Sequence, residues 1–256
     1  MLFSIITITY NASATVGRTL QSVAEQTCVD YEHLIVDGAS RDGTDAIVDA
    51  APGAERRRML SEPDDGIYDA MNKGICLSRG QYLIFLNAGD KFHSPGTLQQ
   101  IADAIATGEQ PDVVYGQTIL VDNEGRFVAP RHLTAPPELT YRDFARGMLV
   151  CHQAFVARRD RVPMYDTRYR YSADYDWCIR CLQQSRLNRF IDDVLIDYLD
   201  EGVTTANRKA SLRERFSIMA YYYGMLPTLW RHIGFIFRFL HHRREVGKSV
   251  KRNATL

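Results

Sequence analysis

Tyr82-Leu83-Ile84-Phe85-Leu86 is an unbroken apolar run that stops at Asn87-Ala88-Gly89-Asp90. A strand with one wet face alternates apolar and polar positions, so a continuous run asks for a sheet covered on both faces. Small residues and a carboxylate at its end deliver that carboxylate to the C-terminal edge of a parallel sheet. That is the edge where open α/β sheets bind ligands. Taken alone, the four residues also suit a plain turn leading into a helix cap. The neighbouring segments decide between the two.

Phe3 to Thr9 is β-branched and apolar and reads as a buried first strand. Val16, Leu20 and Val23 have helical spacing within residues 14–26. A second strand, Tyr31 to Asp37, also ends in a carboxylate. Residues 38–43 form a loop, and Thr44 suits the cap of a helix over residues 45–51. A short strand over 57–61, a turn at Glu62-Pro63-Asp64-Asp65-Gly66 and a helix over 67–78 lead into the apolar run. Strand and helix therefore alternate through the first ninety residues, which predicts right-handed βαβ units and a doubly wound, mostly parallel sheet. A helix over 96–107 and a strand over 112–116 continue it. Residues 118–121 and 125–129 flank a hairpin turn, 152–157 suits a strand, and 174–184 suits a helix.

After Thr205 the character changes. Residues 205–256 carry eleven Lys or Arg against Glu214 and Glu245, a formal +9. The whole chain is neutral, which leaves −9 on the rest. Two helices are expected, over 212–223 and 226–241, the second interleaving Leu, Ile, Trp and Phe with Arg. Charge interrupts it too often for a bilayer span. The expected division is 1–204 and 205–256. The basic second part suits an amphipathic helix at an anionic membrane surface, or a helix packed on the first part with its Arg side exposed. Nothing at Met1 looks like a signal peptide, and five scattered cysteines suit a reducing compartment. A cytoplasmic location follows as the expectation, on the inner face of the cytoplasmic membrane where the basic helices engage it. Cys178 and Cys181 lack a second pair and read as neighbours on one helix.

The predicted topology gathers the loops after strand one (Thr9, Tyr10, Asn11), strand two (Asp37) and the apolar run (Asn87 to Asp90) on one edge. These residues suit a nucleoside diphosphate. A tyrosine stacks on a base, Asp37 can accept from a base N–H, and Asp90 can ligate a hard divalent cation.

Thr9-Tyr10-Asn11, Asp37-Gly38-Ala39-Ser40-Arg41-Asp42-Gly43-Thr44 and Leu86-Asn87-Ala88-Gly89-Asp90, in this order and spacing, resemble family 2 glycosyltransferases of the GT-A fold. The likeness covers roughly residues 3–200. The segment from Glu62 to Gly74 resembles a subgroup that builds bacterial surface polysaccharides. The resemblance implies a Rossmann-like sheet with helices on both faces, here with a C-terminal helical extension. It implies transfer of a sugar from a UDP-sugar, or another nucleotide sugar, to a hydroxyl of a glycan or polyprenyl-linked acceptor, with inversion. Thr9, Tyr10, Asn11, Asp37, Asn87 and Ala88 would hold the nucleotide, with Lys73 at the diphosphate. Asp90 would ligate Mn2+ or Mg2+ as the only carboxylate of the family's Asp-x-Asp segment, whose first acid is Asn87 and whose middle position is Gly89 here. The family's catalytic base is the Asp of a Glu-Asp pair, which corresponds to Ala173-Asp174. Asp174 is then the candidate base and Asp176 its rival. His152 and Asp65 are candidate contacts to acceptor or diphosphate.

Two other readings stay open on the sequence. A nucleotidyltransferase would want a Gly-rich basic loop after strand one, which Thr9-Tyr10-Asn11-Ala12 lacks. A non-catalytic nucleotide- or carbohydrate-binding scaffold is consistent with the missing acids. No Gly-x-Gly-x-x-Gly follows strand one, which disfavours a dinucleotide oxidoreductase, and the acidic main body disfavours nucleic acid.

Overall fold

The structure, a computed structural model, describes residues 1–199 and 207–233. The chain divides between Ser211 and Leu212 into two units.

In the first unit β1 (Phe3–Thr9), β2 (Tyr31–Asp37), β3 (Arg57–Ser61) and β4 (Tyr82–Phe85) are parallel and lie in the order β3-β2-β1-β4. Helices α1 (Val16–Ala24), α2 (Thr44–Ala50) and α3 (Ile67–Leu77) connect them. Every residue of β1, β2 and β4 is buried, so the sheet is covered on both faces, as the apolar run requires. Strand side chains alternate between those faces. Phe3 and Ile5 of β1 join Tyr82, Ile84 and Leu86 in one apolar cluster. Helix α4 (Thr97–Ala106) adds Leu98 and Ile101 to it. A second cluster joins Ile35 of β2 to Val16 and Leu20 of α1 and Val48 of α2. Side chains this fully buried contribute roughly 1.5–3 kcal/mol each in transfer free energy.

Beyond β4 the sheet departs from the sequence expectation. The strand beside β4 is β8 (Phe155–Arg158), antiparallel, and β6 (Val113–Val121) lies outside it. The chain thus continues its parallel pattern in sequence but not in space. β6 runs without a break through the segment expected to begin a separate hairpin arm, and β7 (Phe127–Pro130) folds back on it. The long strand β9 (Asn188–Leu199) pairs parallel with β6, and the short β5 (Lys91–Phe92) closes the sheet against β9. Neither β5 nor β9 is legible in the sequence. β5 has two residues, and Asp192, Asp193 and Asp197 interrupt the apolar pattern of β9. Thr44 is the first residue of α2 rather than its cap; Gly43 holds that place with a left-handed φ of 86°. Helix α5 (Ala173–Gln184) buries Cys178 and Cys181, both free thiols.

Helix α6 (Arg208–Tyr223) leads into the second unit, and residues 225–233 are helical. Gly224 between them has a φ of 87°, a turn glycine. Met225, Leu226, Leu229, Trp230 and Ile233 are all exposed, with Trp230 at 74%. The rest of the expected second helix, 234–241, lies outside the described residues. Among the described residues no helix is long and apolar enough to cross a membrane.

Candidate active site

Thr9, Asp37 and Ser61 are the last residues of β1, β2 and β3 and are paired in register. The sheet therefore sets three polar side chains side by side at its C-terminal edge. Asp37 is 1% exposed and accepts four hydrogen bonds: from Thr9 Oγ1 at 2.8 Å, Ser61 Oγ at 2.7 Å, Ser40 Oγ at 2.5 Å and Ser40 N at 2.9 Å. Burial pushes its carboxyl up, and the Ser40 and Ser61 bonds outweigh burial and hold it below the usual value. These donors fill the carboxylate. Asp37 is the hub of its loop.

The loops after β1 and β2 are laced together. Asn11 N donates to Ser40 Oγ at 2.8 Å, and Arg41 N donates to Asn11 Oδ1 at 3.0 Å. Ala12 N donates to Thr44 Oγ1 and Ser13 N to Asp42 Oδ2, each at 2.9 Å. Asn11 and Ala39 both have left-handed φ, 48° and 58°, uncommon for residues with a Cβ. What this platform turns outward is Tyr10, 69% exposed. Beside it Gly38, having no side chain, lets Asp64 and Tyr10 close in on the backbone. A Cβ there would lie 2.6 Å from Asp64 Oδ2 and 3.2 Å from Tyr10 Cδ2. Tyr10 is thus exposed on this half of the site, with Asp64 half-buried and Gly38 buried beside it.

The turn after β4 is fastened to α1 and β9. Thr19 Oγ1 donates to Asp90 O at 2.7 Å and accepts from Gly89 N at 2.9 Å. Gly89 has a φ of 104°, and a Cβ on it would meet Leu199 Cδ2 at 2.8 Å. Asp90 is 4% exposed and accepts from Leu199 N at 2.9 Å and Gln153 Nε2 at 2.8 Å. Burial raises its carboxyl to about 7. Asn87 Oδ1 is a buried oxygen with no hydrogen-bond partner, and Asp90 N closes the same turn onto Asn87 O at 3.0 Å. Ala88 between them is partly buried. No group of three or more His, Cys, Asp or Glu able to hold a metal occurs among the described residues. Asn87 Oδ1 and Asp90 are hard oxygen ligands that fit a divalent cation only when phosphate oxygens complete its shell.

Asp174 is the second residue of α5, and its Oδ1 accepts from the Tyr68 hydroxyl at 3.0 Å. Asp174 is partly exposed, whereas Asp176 is 4% exposed and accepts from Arg180 Nε at 2.7 Å. Two positions apart on a helix, the carboxylates point to different sides, and of the two Asp174 is the less buried. An aromatic wall connects Asp174 to β4. Trp177 stands edge-on to Phe85 at 5.7 Å, and Phe85 lies near the Asn87 turn. His152 belongs to this wall. It is 3% exposed, its Nε2 is 2.6 Å from the Tyr165 hydroxyl, and burial lowers its pKa to about 4. The imidazole is neutral and packs against Phe85, Tyr165 and Trp177. Asp90, Gln153, His152, Tyr165, Tyr68 and Asp174 thus form one continuous series of contacts.

Lys73 and Asp65 stand apart from that series. Lys73 Nζ pairs with Glu62 at 2.9 Å, Asp69 at 3.5 Å and Pro63 O at 2.8 Å, and the Glu62 bond raises its pKa. Asp65 is exposed, and its N–H donates to Asp69 Oδ2 at 3.2 Å. Sequence reasoning missed Tyr68, Thr19, Gln153 and Tyr165. Gln153 adjoins a residue it did single out, but a lone glutamine carries no signal of its partner.

The family model for glycosyl transferase family 2 matches residues 4–164. A PGL/p-HBAD biosynthesis glycosyltransferase of Mycobacterium bovis (strain BCG / Pasteur 1173P2) is 36% identical over 211 residues, 78% of each chain. The S. aureus TarS 1–349 structure in complex with UDP-GlcNAc superposes with a TM-score of 0.69 at 19% identity, covering 92% of this chain and 73% of that one. The mannosyltransferase PcManGT from Pyrobaculum calidifontis, in complex with GDP-Man and Mn2+, gives 0.61 at 17% identity, covering 90% and 71%. The sheet and its helices are therefore those of a GT-A glycosyltransferase, and with its motifs and its relatives the chain belongs to glycosyltransferase family 2.

Proposed function

We propose that this protein transfers a sugar from a UDP-sugar to a hydroxyl of a glycan or lipid-linked acceptor, with inversion, in the building of a surface polysaccharide or glycolipid. The observation that carries the reading is the run of contacts from the Asn87 to Asp90 turn to Asp174, beside the platform that exposes Tyr10. A complex of a similarly folded protein with UDP-GlcNAc supports a uridine donor.

The roles follow from chemistry. Tyr10 stacks on the base, next to Gly38 and the Asp64 carboxylate, on a loop that Asp37 holds rigid. Asn87 and Asp90 would hold a divalent cation, Mn2+ or Mg2+, against the donor phosphates. When bound, such a cation supplies Lewis-acid stabilisation of the charge on the leaving diphosphate. Asp174 accepts the proton of the acceptor hydroxyl. That oxygen bonds to the anomeric carbon from the face opposite the nucleotide, the carbon–oxygen bond to phosphate breaks, and the configuration inverts. UDP release measured over a panel of UDP-sugars, with and without Mn2+, tests this. No release above background with any of them, in the presence of UDP binding, would favour a binding scaffold.

The second unit supports a peripheral place on the inner face of the cytoplasmic membrane. The exposed residues Met225, Leu226, Leu229, Trp230 and Ile233 share one face at helical spacing. They sit in a segment whose sequence carries +9 from residue 205 to 256. Apolar side chains, an exposed tryptophan and excess Lys and Arg suit an anionic headgroup layer, where a polyprenyl-linked acceptor would be met. Sedimentation with phosphatidylcholine vesicles with or without phosphatidylglycerol tests it. Binding should require the anionic lipid and fall in Trp230→Glu; equal sedimentation of that variant would refute it.

A further inference from the structure

We infer that Tyr68 is a positioning residue for Asp174, fixing the carboxylate so that one oxygen is bound and the other is left for the acceptor proton. The inference rests on the reading of Asp174 as the base. Tyr68 is the second residue of α3 and Asp174 the second of α5, so two first turns meet at the same edge. The Tyr68 hydroxyl donates to Oδ1 at 3.0 Å, and among the described residues no donor reaches Oδ2. A carboxylate tied at one oxygen loses its freedom to rotate and keeps the second oxygen's lone pairs aimed in one direction.

The tyrosine is itself immobilised. Its ring stacks on Tyr165 at 5.7 Å and 24°, and Tyr165 stacks on Trp177 at 5.0 Å and 10°. Tyr165 N donates to Asn72 Oδ1 at 2.7 Å, and Asn72 Nδ2 donates to Tyr165 O at 3.1 Å. Asn72 is one turn beyond Tyr68 on α3, and Trp177 is nearly one turn beyond Asp174 on α5. The contacts therefore close a ring: Asp174 to Tyr68, through the stack to Trp177, and back along α5. Packing alone explains the aromatic ring of Tyr68, which is 8% exposed. It does not explain a hydroxyl placed on the one partly exposed carboxylate of this helix turn.

Tyr68→Phe separates the two roles, because it keeps the stack and removes only the hydroxyl. The test is UDP release from UDP-GlcNAc, UDP-glucose and UDP-galactose, with water as the acceptor, by the wild type, Tyr68→Phe, Asp174→Asn and the double variant. UDP affinity and melting temperature are measured on all four. Loss of one hydrogen bond to a charged group predicts a kcat for Tyr68→Phe lower by about tenfold, with UDP affinity and melting temperature unchanged. In the Asp174→Asn background the same change should cost less than about twofold, since residues acting as one unit are not additive. An equal loss in both backgrounds, or no loss in the wild-type background, would overturn the role of Tyr68 and leave Asp174 as base. Full turnover by Asp174→Asn would instead remove the base, and this inference with it.

Discussion

Gln153 Nε2 lies 2.8 Å from Asp90 Oδ2, tying the start of β8 to the turn that ends β4. The neighbouring strands β4 and β8 are antiparallel, so the beginning of one meets the end of the other. Asp90 is nearly sealed from water, and its second oxygen is held by Leu199 N. Gln153→Leu leaves a buried acceptor without its donor, a change that costs roughly 1–3 kcal/mol. Denaturant unfolding at neutral pH should show that loss, and calorimetry should show weaker UDP binding. A variant as stable as the wild type would mean the bond is incidental.

The Asp90 carboxyl, raised to about 7 by burial, also gives a sign for cation binding. Its folded value lies above its unfolded value of 3.8, so the stability it contributes is present below about pH 4 and is lost as pH rises through 7. A cation at Asn87 and Asp90 favours the ionised form and offsets that loss. Added Mn2+ with UDP should therefore raise the melting temperature more at pH 8 than at pH 5. Asn87→Ala should reduce the difference.

His33 gives the opposite pH dependence. It is 3% exposed, its Nε2 is 2.9 Å from Thr7 Oγ1, and burial lowers its pKa from 6.5 to about 3. The neutral imidazole contributes stability that is present above pH 6.5 and lost as pH falls toward 3. At pH 5 the loss is about 2 kcal/mol, from 1.36 kcal/mol per unit between the unfolded value and the pH. His33→Gln should lose less stability between pH 7 and pH 5 than the wild type, by about that amount. Identical pH slopes would contradict a buried neutral His33.

At the exposed platform, Gly38→Ala should separate binding from folding. The added methyl meets Asp64 Oδ2 at 2.6 Å, the end of a side chain that can shift, so the fold should survive. The placement of Asp64 and Tyr10 against residue 38 should not. UDP affinity is expected to fall about tenfold, with a melting temperature within a few degrees of wild type. Unchanged affinity would move the nucleotide away from Tyr10.

Much of the parallel half was legible because β1, β2 and β4 are rich in apolar and β-branched residues and alternate with stretches of helical spacing. The other half was not. β9 carries Asp192 and Asp193 where it faces solvent, and its buried Asp197 pairs with Lys91 and His93. The insertion of β8 beside β4 depends on long-range pairing of Leu83 with Ala157, which no local pattern encodes. In the site, residues at strand ends were readable by position. Asp37 was found but its partners were not: Ser40 is a local contact of its own loop, and Thr9 and Ser61 come to it only after three strands align. Tyr68 looked like one more apolar position of α3 until Asp174, 106 residues away, met its hydroxyl.

The account turns on Asp174. The most direct measurement is UDP release by Asp174→Asn beside the wild type, with UDP affinity determined on both. Removal of a general base predicts a turnover reduced by about 10²–10⁴-fold with UDP affinity retained. Wild-type turnover by that variant would contradict the account.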